Sequence, residues 1–349
     1  MPTAAGEKTS EARYWEKLED GVAHCLLCPQ DCRIRPGQAG LCRIRVNEDG
    51  TLRATKYGRC ASVAVDPIEK KPLYHFFPGS YVFSIAAFGC NLRCRHCQNW
   101  ELSQGDGEDA ALTPAEAVAA AENWRGGGRH CVGLAYTYSE PMVWIEMVQD
   151  TAKLARRQGL KNVMVTNGYV REEPLADLLQ VIDAMNVDVK AFTDEFYREV
   201  CSGRLAPVLR TVEAAHRAGC HVEVTTLLIP GRNDSPAEVT RLVEWLAGVS
   251  PEIPLHFSRY FPSYKMDEPS TPLESLRQAR DIASRRLRHV YVGNAWELDA
   301  NETLCSACGA VLVRRSGHAA DPAGLDGERC RECGERANIR VTETHDGTH

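Results

Sequence analysis

Between residues 81 and 293 the chain alternates short apolar runs with amphipathic segments. The runs are Val82 to Phe88, Val132 to Tyr136, Asn162 to Thr166, Met185 to Val189, His221 to Leu228, Leu255 to Ser258 and His289 to Val292, each the length of a strand. The segments between them carry helix formers and helix boundaries. TPAEAVAAAENW begins with Thr113 as N-cap and Glu116 three residues later, EPMVWIEMVQDTAKLARRQG ends at Gly159, and SPAEVTRLVEWLAG starts from Ser235. Such alternation predicts a parallel sheet with crossover helices, an α/β chain. With about six or seven units, a partial or full (β/α) barrel is expected, its chemistry at the C-terminal ends of the strands.

The two ends break this rhythm. Residues 1–79 are Cys-rich, hold the turn-rich stretch RPGQAGLC and show no regular periodicity. Residues 299–349 combine two CxxC pairs with GHAADPAGLDGER and finish in THDGTH, a polar tail expected to be disordered. The predicted organisation is therefore a Cys-rich segment (1–79), a barrel core (80–298) and a metal-binding extension (299–349).

Composition narrows the classes. Hydrophobic residues make 44% of the 349 and charged residues 25%, ordinary globular usage. A net charge of −6 removes the expectation of a strongly basic nucleic-acid surface, although a local patch leaves nucleic acid open. The start, MPTAAGEKTSEARYWEKLEDG, has no basic flank leading into an apolar core, and no run approaches the roughly 18 residues of a membrane helix. A cytoplasmic chain without a membrane partner is expected, where clustered cysteines serve metals rather than disulfides.

Eleven of the 15 cysteines fall in three groups. Cys60, Cys131, Cys201 and Cys220 stand alone and read as small buried hydrophobes. The central group, FGCNLRCRHCQNW, places Cys90, Cys94 and Cys97 directly after a strand. Three thiolates so spaced can bind three irons of a 4Fe-4S cluster and leave the fourth iron for a small molecule. A zinc knuckle borrowing a distant ligand is the alternative, and position at a barrel strand end favours the cluster.

CxxxCxxC after the first strand of a β/α array resembles the radical S-adenosylmethionine superfamily. That resemblance implies S-adenosylmethionine as cofactor on the open iron, cleaved reductively to methionine and a 5′-deoxyadenosyl radical that abstracts hydrogen. AYTYSEP then occupies the place of the superfamily's GGE segment, so that Tyr138, Ser139 and Glu140 would hold the cofactor's amino group. VTNGY, with Thr166 and Asn167, and NVDVKAF, with Asp188 and Lys190, look like the TNG and DLK segments of pyruvate formate-lyase activating enzymes. Lys190 could pair the cofactor carboxylate and Asp188 orient Lys190 or a cation. DPIEKKPLYHFFPGS, CQNW, LLIPGRND and HFSRYFPSYKM further resemble the AmmeMemoRadiSam-system radical enzymes. His256 is a cofactor-side candidate from that stretch, whereas Phe261 stands where a histidine is common. Expected partners are a flavodoxin- or ferredoxin-type electron donor and a protein substrate or Memo-like protein. Hydrogen abstraction from a protein glycine is the activase-like reaction; modification of a peptide, an RNA or a small molecule is its alternative.

Cys305, Cys308, Cys330 and Cys333 form two CxxC knuckles, each followed by glycine, and predict a zinc ribbon, with an Fe-S cluster as competitor. Cys25, Cys28, Cys32 and Cys42 are compatible with zinc or an auxiliary 4Fe-4S cluster. The rival of an enzyme altogether is a zinc-organised module that binds RNA or protein without turnover.

Overall fold

The computed structural model describes residues 10–126, 130–298 and 301–341; the THDGTH tail lies outside them. Seven parallel strands follow chain order across one sheet: Tyr81–Ala86, Cys131–Tyr136, Lys161–Thr166, Ala184–Asp188, His221–Leu228, Leu255–Arg259 and Val290–Gly293. An eighth, Ser62–Pro67, pairs antiparallel with Tyr81–Ala86 and covers that edge. The sheet keeps two ends, so of the two expectations the partial barrel is observed.

Helices Pro114–Gly126, Ile145–Arg157, Leu205–Arg217, Pro236–Val249 and Leu273–Ala283 cross between the strands. Their boundaries follow the local chemistry. Thr113 and Glu116 form a reciprocal capping box, Glu116 Oε2 accepting from Thr113 N at 2.7 Å and Thr113 Oγ1 from Glu116 N at 3.2 Å. Ser235 caps its helix through Glu238 N. The segment read as one helix from Glu140 instead opens with a 3-10 turn, Pro141–Trp144, because the Glu140 carboxylate takes the Met142 N–H and Pro141 has none to offer. Leu134, Met164, Met185, Val187, Val224 and Phe257 are fully buried, each contributing about 1.5–3 kcal/mol.

The ends are built from small sheets. Ser10–Glu11, Thr51–Ala54 and Arg45–Glu48 form one, and Trp15–Lys17, Ala23–Cys25 and Arg33–Ile34 another. Near the other terminus Thr303–Leu304, Val311–Ser316 and Ala319–Asp321 make a third, clasped to the core. Arg315 Nη2 donates to Tyr74 O at 2.6 Å, Arg340 N to His75 O at 2.8 Å and Phe77 N to Arg340 O at 2.7 Å. Among the described residues no helix is long and apolar enough to cross a membrane.

Candidate active site and metal centres

The loop after Tyr81–Ala86 carries Cys90, Cys94 and Cys97 to the C-terminal edge of the sheet. There they line a cavity of about 480 Å³ together with Tyr138, Ser139, Glu140, Thr166, Asn167, Asp188, Lys190 and His256. The structure thus brings together every residue predicted around the cofactor. A larger open depression of about 1010 Å³ lies at the opposite edge, around the first residues of strands Cys131–Tyr136, Lys161–Thr166 and His221–Leu228, where β/α folds place stability rather than chemistry.

Hydrogen bonds fix the walls. Glu140, buried, accepts from Thr166 Oγ1 at 2.6 Å and Met142 N at 3.0 Å with one oxygen and from Asn167 N at 2.8 Å with the other. Burial nevertheless pushes its carboxyl up to about 7. Asn167 Nδ2 donates to Asn91 Oδ1 at 2.9 Å and reaches Cys90 Sγ at 3.6 Å. Gly168 turns at φ +66, and a Cβ there would stand 2.9 Å from Val187 Cγ1, so only glycine fits the turn. Lys190 Nζ donates to Asp188 Oδ2 at 3.2 Å. Burial opposes the Lys190 charge, yet Asp188, Cys94 and Cys201 hold it protonated. Asn233, from the LIPGRND loop, donates to Lys190 O at 2.7 Å and steadies that segment.

Three predicted residues face other partners. Tyr138, in the left-handed region at φ 67, hydrogen-bonds Asp66, and the Lys71 ammonium lies 4.3 Å from its ring. Ser139 Oγ donates to Ala87 O at 2.6 Å. His256 Nε2 lies 2.6 Å from Glu223 Oε2, with Tyr74 edge-on to its ring, and Phe261 is exposed.

Cys201 is buried, as expected, but it does not stand alone. It is fully buried at the end of a π-helix, Tyr197–Cys201, and its Sγ stands with Cys94 and His96 in a group of ligand atoms within 4.8 Å. Cys201 O and Val200 O accept from Arg93 N and Arg95 N, strapping this helix to the cysteine loop. Proximity in the fold alone reveals it. The same holds for Glu223, which meets His221 at 2.9 Å and His256 at 2.6 Å and takes the His75 N–H at 2.7 Å.

The site has the features of one built around a guest. Glu69 Oε2, His96 Nδ1 and Thr225 Oγ1 are buried without a hydrogen-bond partner, and all three residues line the cavity. Burial first, then Glu140 and Cys94, pushes the Cys90 thiol well above its ordinary range, and a metal ion would deprotonate such a thiol. Three thiols, a fixed ammonium and a polar cavity fit an Fe-S cluster with an amino-acid cofactor.

In the C-terminal extension Cys305, Cys308, Cys330 and Cys333 converge, with Sγ pairs at 3.6 and 3.7 Å. Thiolates about 2.3 Å from a tetrahedral ion stand about 3.8 Å apart, so these four fit one zinc-sized metal. Gly309 and Gly334, at φ +76 and +74, close each knuckle by donating to Cys305 O and Cys330 O.

Residues 84–244 match the family model described as Radical SAM superfamily. A relative matches nearly end to end, and with the site above the chain belongs to the radical SAM superfamily. That relative is "Uncharacterized protein MJ0808" of Methanocaldococcus jannaschii, 43% identical over 337 residues, covering 94% of this chain and 99% of that one. The pyruvate formate-lyase-activating enzyme of Listeria monocytogenes is 24% identical over 173 residues, 47% of this chain and 68% of its own. Escherichia coli pyruvate formate-lyase 1-activating enzyme is 26% identical over 164 residues, 45% and 65%. Among solved structures, Streptococcus suis SuiB bound to S-adenosylmethionine shares the fold at TM-score 0.51, 12% identity, 69% of this chain and 57% of that chain. A radical SAM methyltransferase from Sphaerobacter thermophilus does so at 0.50, 18% identity, 62% and 67%. Membership of this family implies S-adenosylmethionine and a 4Fe-4S cluster.

Proposed function

We propose that the chain is a radical enzyme that binds a 4Fe-4S cluster through Cys90, Cys94 and Cys97 and uses S-adenosylmethionine to abstract hydrogen from a substrate in the 480 Å³ cavity. The observation that carries this reading is the convergence of the three thiols, Glu140, Asn167 and the charged Lys190 on one cavity at the strand ends. When bound, the cluster supplies the electron that splits the cofactor into methionine and a 5′-deoxyadenosyl radical.

This chain's residues do the positioning. Lys190, aligned by Asp188, offers its ammonium to the cofactor carboxylate. Glu140, set by Thr166, Met142 and Asn167, receives the cofactor ammonium, whose charge would ionise a carboxyl that burial holds near 7. Tyr138 and Ser139 shape the wall that presents Glu140. His256, oriented by Glu223, faces the substrate side.

Kinship to activating enzymes favours a glycine of a protein partner as the hydrogen donor, and the AmmeMemoRadiSam resemblance favours a Memo-like protein as that partner. A flavodoxin or ferredoxin supplies electrons, the ribbon holds zinc, and fifteen free thiols suit a reducing cytoplasm. The test is anaerobic reconstitution with iron and sulfide, followed by dithionite and S-adenosylmethionine. Wild type should release 5′-deoxyadenosine and Cys94→Ala should not; a wild-type protein with intact cluster and no 5′-deoxyadenosine overturns the reading. Transfer of deuterium from a labelled candidate into 5′-deoxyadenosine identifies the substrate.

A further inference from the structure

Spacing along the chain leaves Cys25, Cys28, Cys32 and Cys42 open between zinc and an iron–sulfur cluster. Their arrangement in space does not. The C-terminal four supply an internal ruler for a single ion, with sulfurs 3.6 and 3.7 Å apart. Among the described residues, groups of ligand atoms all within 4.8 Å of one another are those four and Cys94 with His96 and Cys201. The N-terminal four do not meet that spacing, and neither do Cys90, Cys94 and Cys97 as a set.

The N-terminal cysteines instead border an internal void of about 10 Å³. Four sulfurs around one tetrahedral ion lie only about 2.3 Å from its centre and leave no such space. A cubane cluster puts an iron on each thiolate and so accepts sulfurs spaced more widely than around a single ion, the spacing that Cys90, Cys94 and Cys97 share.

Charge points the same way. Arg45, 1% exposed, lines this cavity, and its Nε has no hydrogen-bond partner. Its Nη1 pairs with Glu146 Oε1 at 2.9 Å. A cluster with four thiolate ligands is a net anion, and the unspent Nε–H of a buried guanidinium suits one.

Placement gives the cavity a purpose. Asn91, next to Cys90, is part of its wall, and Gln30 Nε2 donates to Asn91 O at 2.8 Å. Arg93, between Cys90 and Cys94, hydrogen-bonds Leu41 O. Gly89, at φ +106, lies so close that a Cβ there would stand 2.7 Å from Cys42 O. The N-terminal cysteines and the catalytic loop are thus in direct contact.

We propose that Cys25, Cys28, Cys32 and Cys42 hold an auxiliary iron–sulfur cluster that passes single electrons to the cluster at Cys90, Cys94 and Cys97. One electron from a low-potential donor of the flavodoxin or ferredoxin class reduces the auxiliary cluster. Its reoxidation reduces the catalytic cluster by the same one electron. The auxiliary site stands on its own observations, whereas the electron transfer rests on the function proposed above.

The test uses the full chain carrying Cys90→Ala, Cys94→Ala and Cys97→Ala, which leaves the N-terminal set untouched, reconstituted with ferrous iron and sulfide. It should retain about four irons and four sulfides per chain and, once reduced with dithionite, an electron paramagnetic resonance signal. Adding Cys28→Ser and Cys42→Ser should abolish both. In the reduced wild type the two clusters should broaden each other's signals, and either set of substitutions should remove the broadening. A triple variant with no sulfide and a second zinc beyond the ribbon's overturns the site. Two clusters without magnetic interaction overturn the electron transfer alone. A wild type that holds the auxiliary cluster yet yields no 5′-deoxyadenosine sinks the proposed function and the electron transfer, and leaves the site standing.

Discussion

Replacing Glu146 by glutamine should destabilise the protein most when the N-terminal cysteines carry no metal. Arg45 and Glu146 form an ion pair at 2.9 Å with side chains only 1% and 2% exposed. The same Glu146 oxygen also accepts from Arg13 N at 2.7 Å, tying the N-terminal segment to the helix Ile145–Arg157. Glu146→Gln keeps the shape and removes the compensating charge. Removing one partner of a buried pair costs about 3–5 kcal/mol because the other charge stays in a low-dielectric interior. For 349 residues the unfolding entropy is about 0.7 kcal/mol/K, so the metal-free protein should lose roughly 4–7 °C of Tm. With an anionic thiolate cluster beside Arg45 the guanidinium keeps a counter-charge, and the loss should fall by about half or more. Differential scanning calorimetry of wild type and Glu146→Gln, each with and without metal, closes the cycle. Equal losses in the two states, or a metal-free loss below about 1 °C, would refute the reasoning.

Four further outcomes are expected. Gly168→Ala should cost about 2–4 kcal/mol, combining left-handed strain with a Cβ 2.9 Å from Val187 Cγ1, read as a lowered denaturation midpoint. Cys308→Ser should lower zinc content by one ion per chain and speed trypsin cleavage within 305–341, while iron content holds. Cys201→Ala should remove a thiol proton from beside Cys94 and make the catalytic cluster harder to reduce in potentiometric titration, with Cys201→Ser restoring most of the shift. Burial opposes the Glu223 charge, but hydrogen bonds from His221 and His256 hold its carboxyl well below the usual range. Its contribution is therefore present above the ordinary carboxylate pKa of about 4.5 and lost as pH falls toward the depressed folded value. Glu223→Gln should flatten the acid limb of stability below about pH 4.5 in acid titration followed by circular dichroism.

The barrel core was legible because its signals are local. Period, caps and strand length report elements directly, and a strand-end motif such as Cys90, Cys94 and Cys97 inherits its place from them. Thr113 with Glu116 and Ser235 cap helices as their spacing predicts. What escaped is what only packing creates. Cys201 reaches Cys94 because a π-helix turns it inward, and Glu223 reaches His256 because neighbouring strands set Thr225 opposite His256. The short strands of the N-terminal segment, two to six residues each, are too brief to leave a period. Tyr138 shows the limit from the other side: its position follows from YTYSEP, but its partner Asp66 lies on an edge strand the pattern did not reveal.

The clasp of Arg315 on Tyr74 and of Arg340 on His75 and Phe77 joins residues more than 230 positions apart. Tyr74 lines the cavity beside His256. In chain order the barrel strands come first and the clasping residues later, so the wall at Tyr74 is fastened only once residues 315 and 340 have been made. Docking of the C-terminal extension therefore closes the cavity on the side of Tyr74.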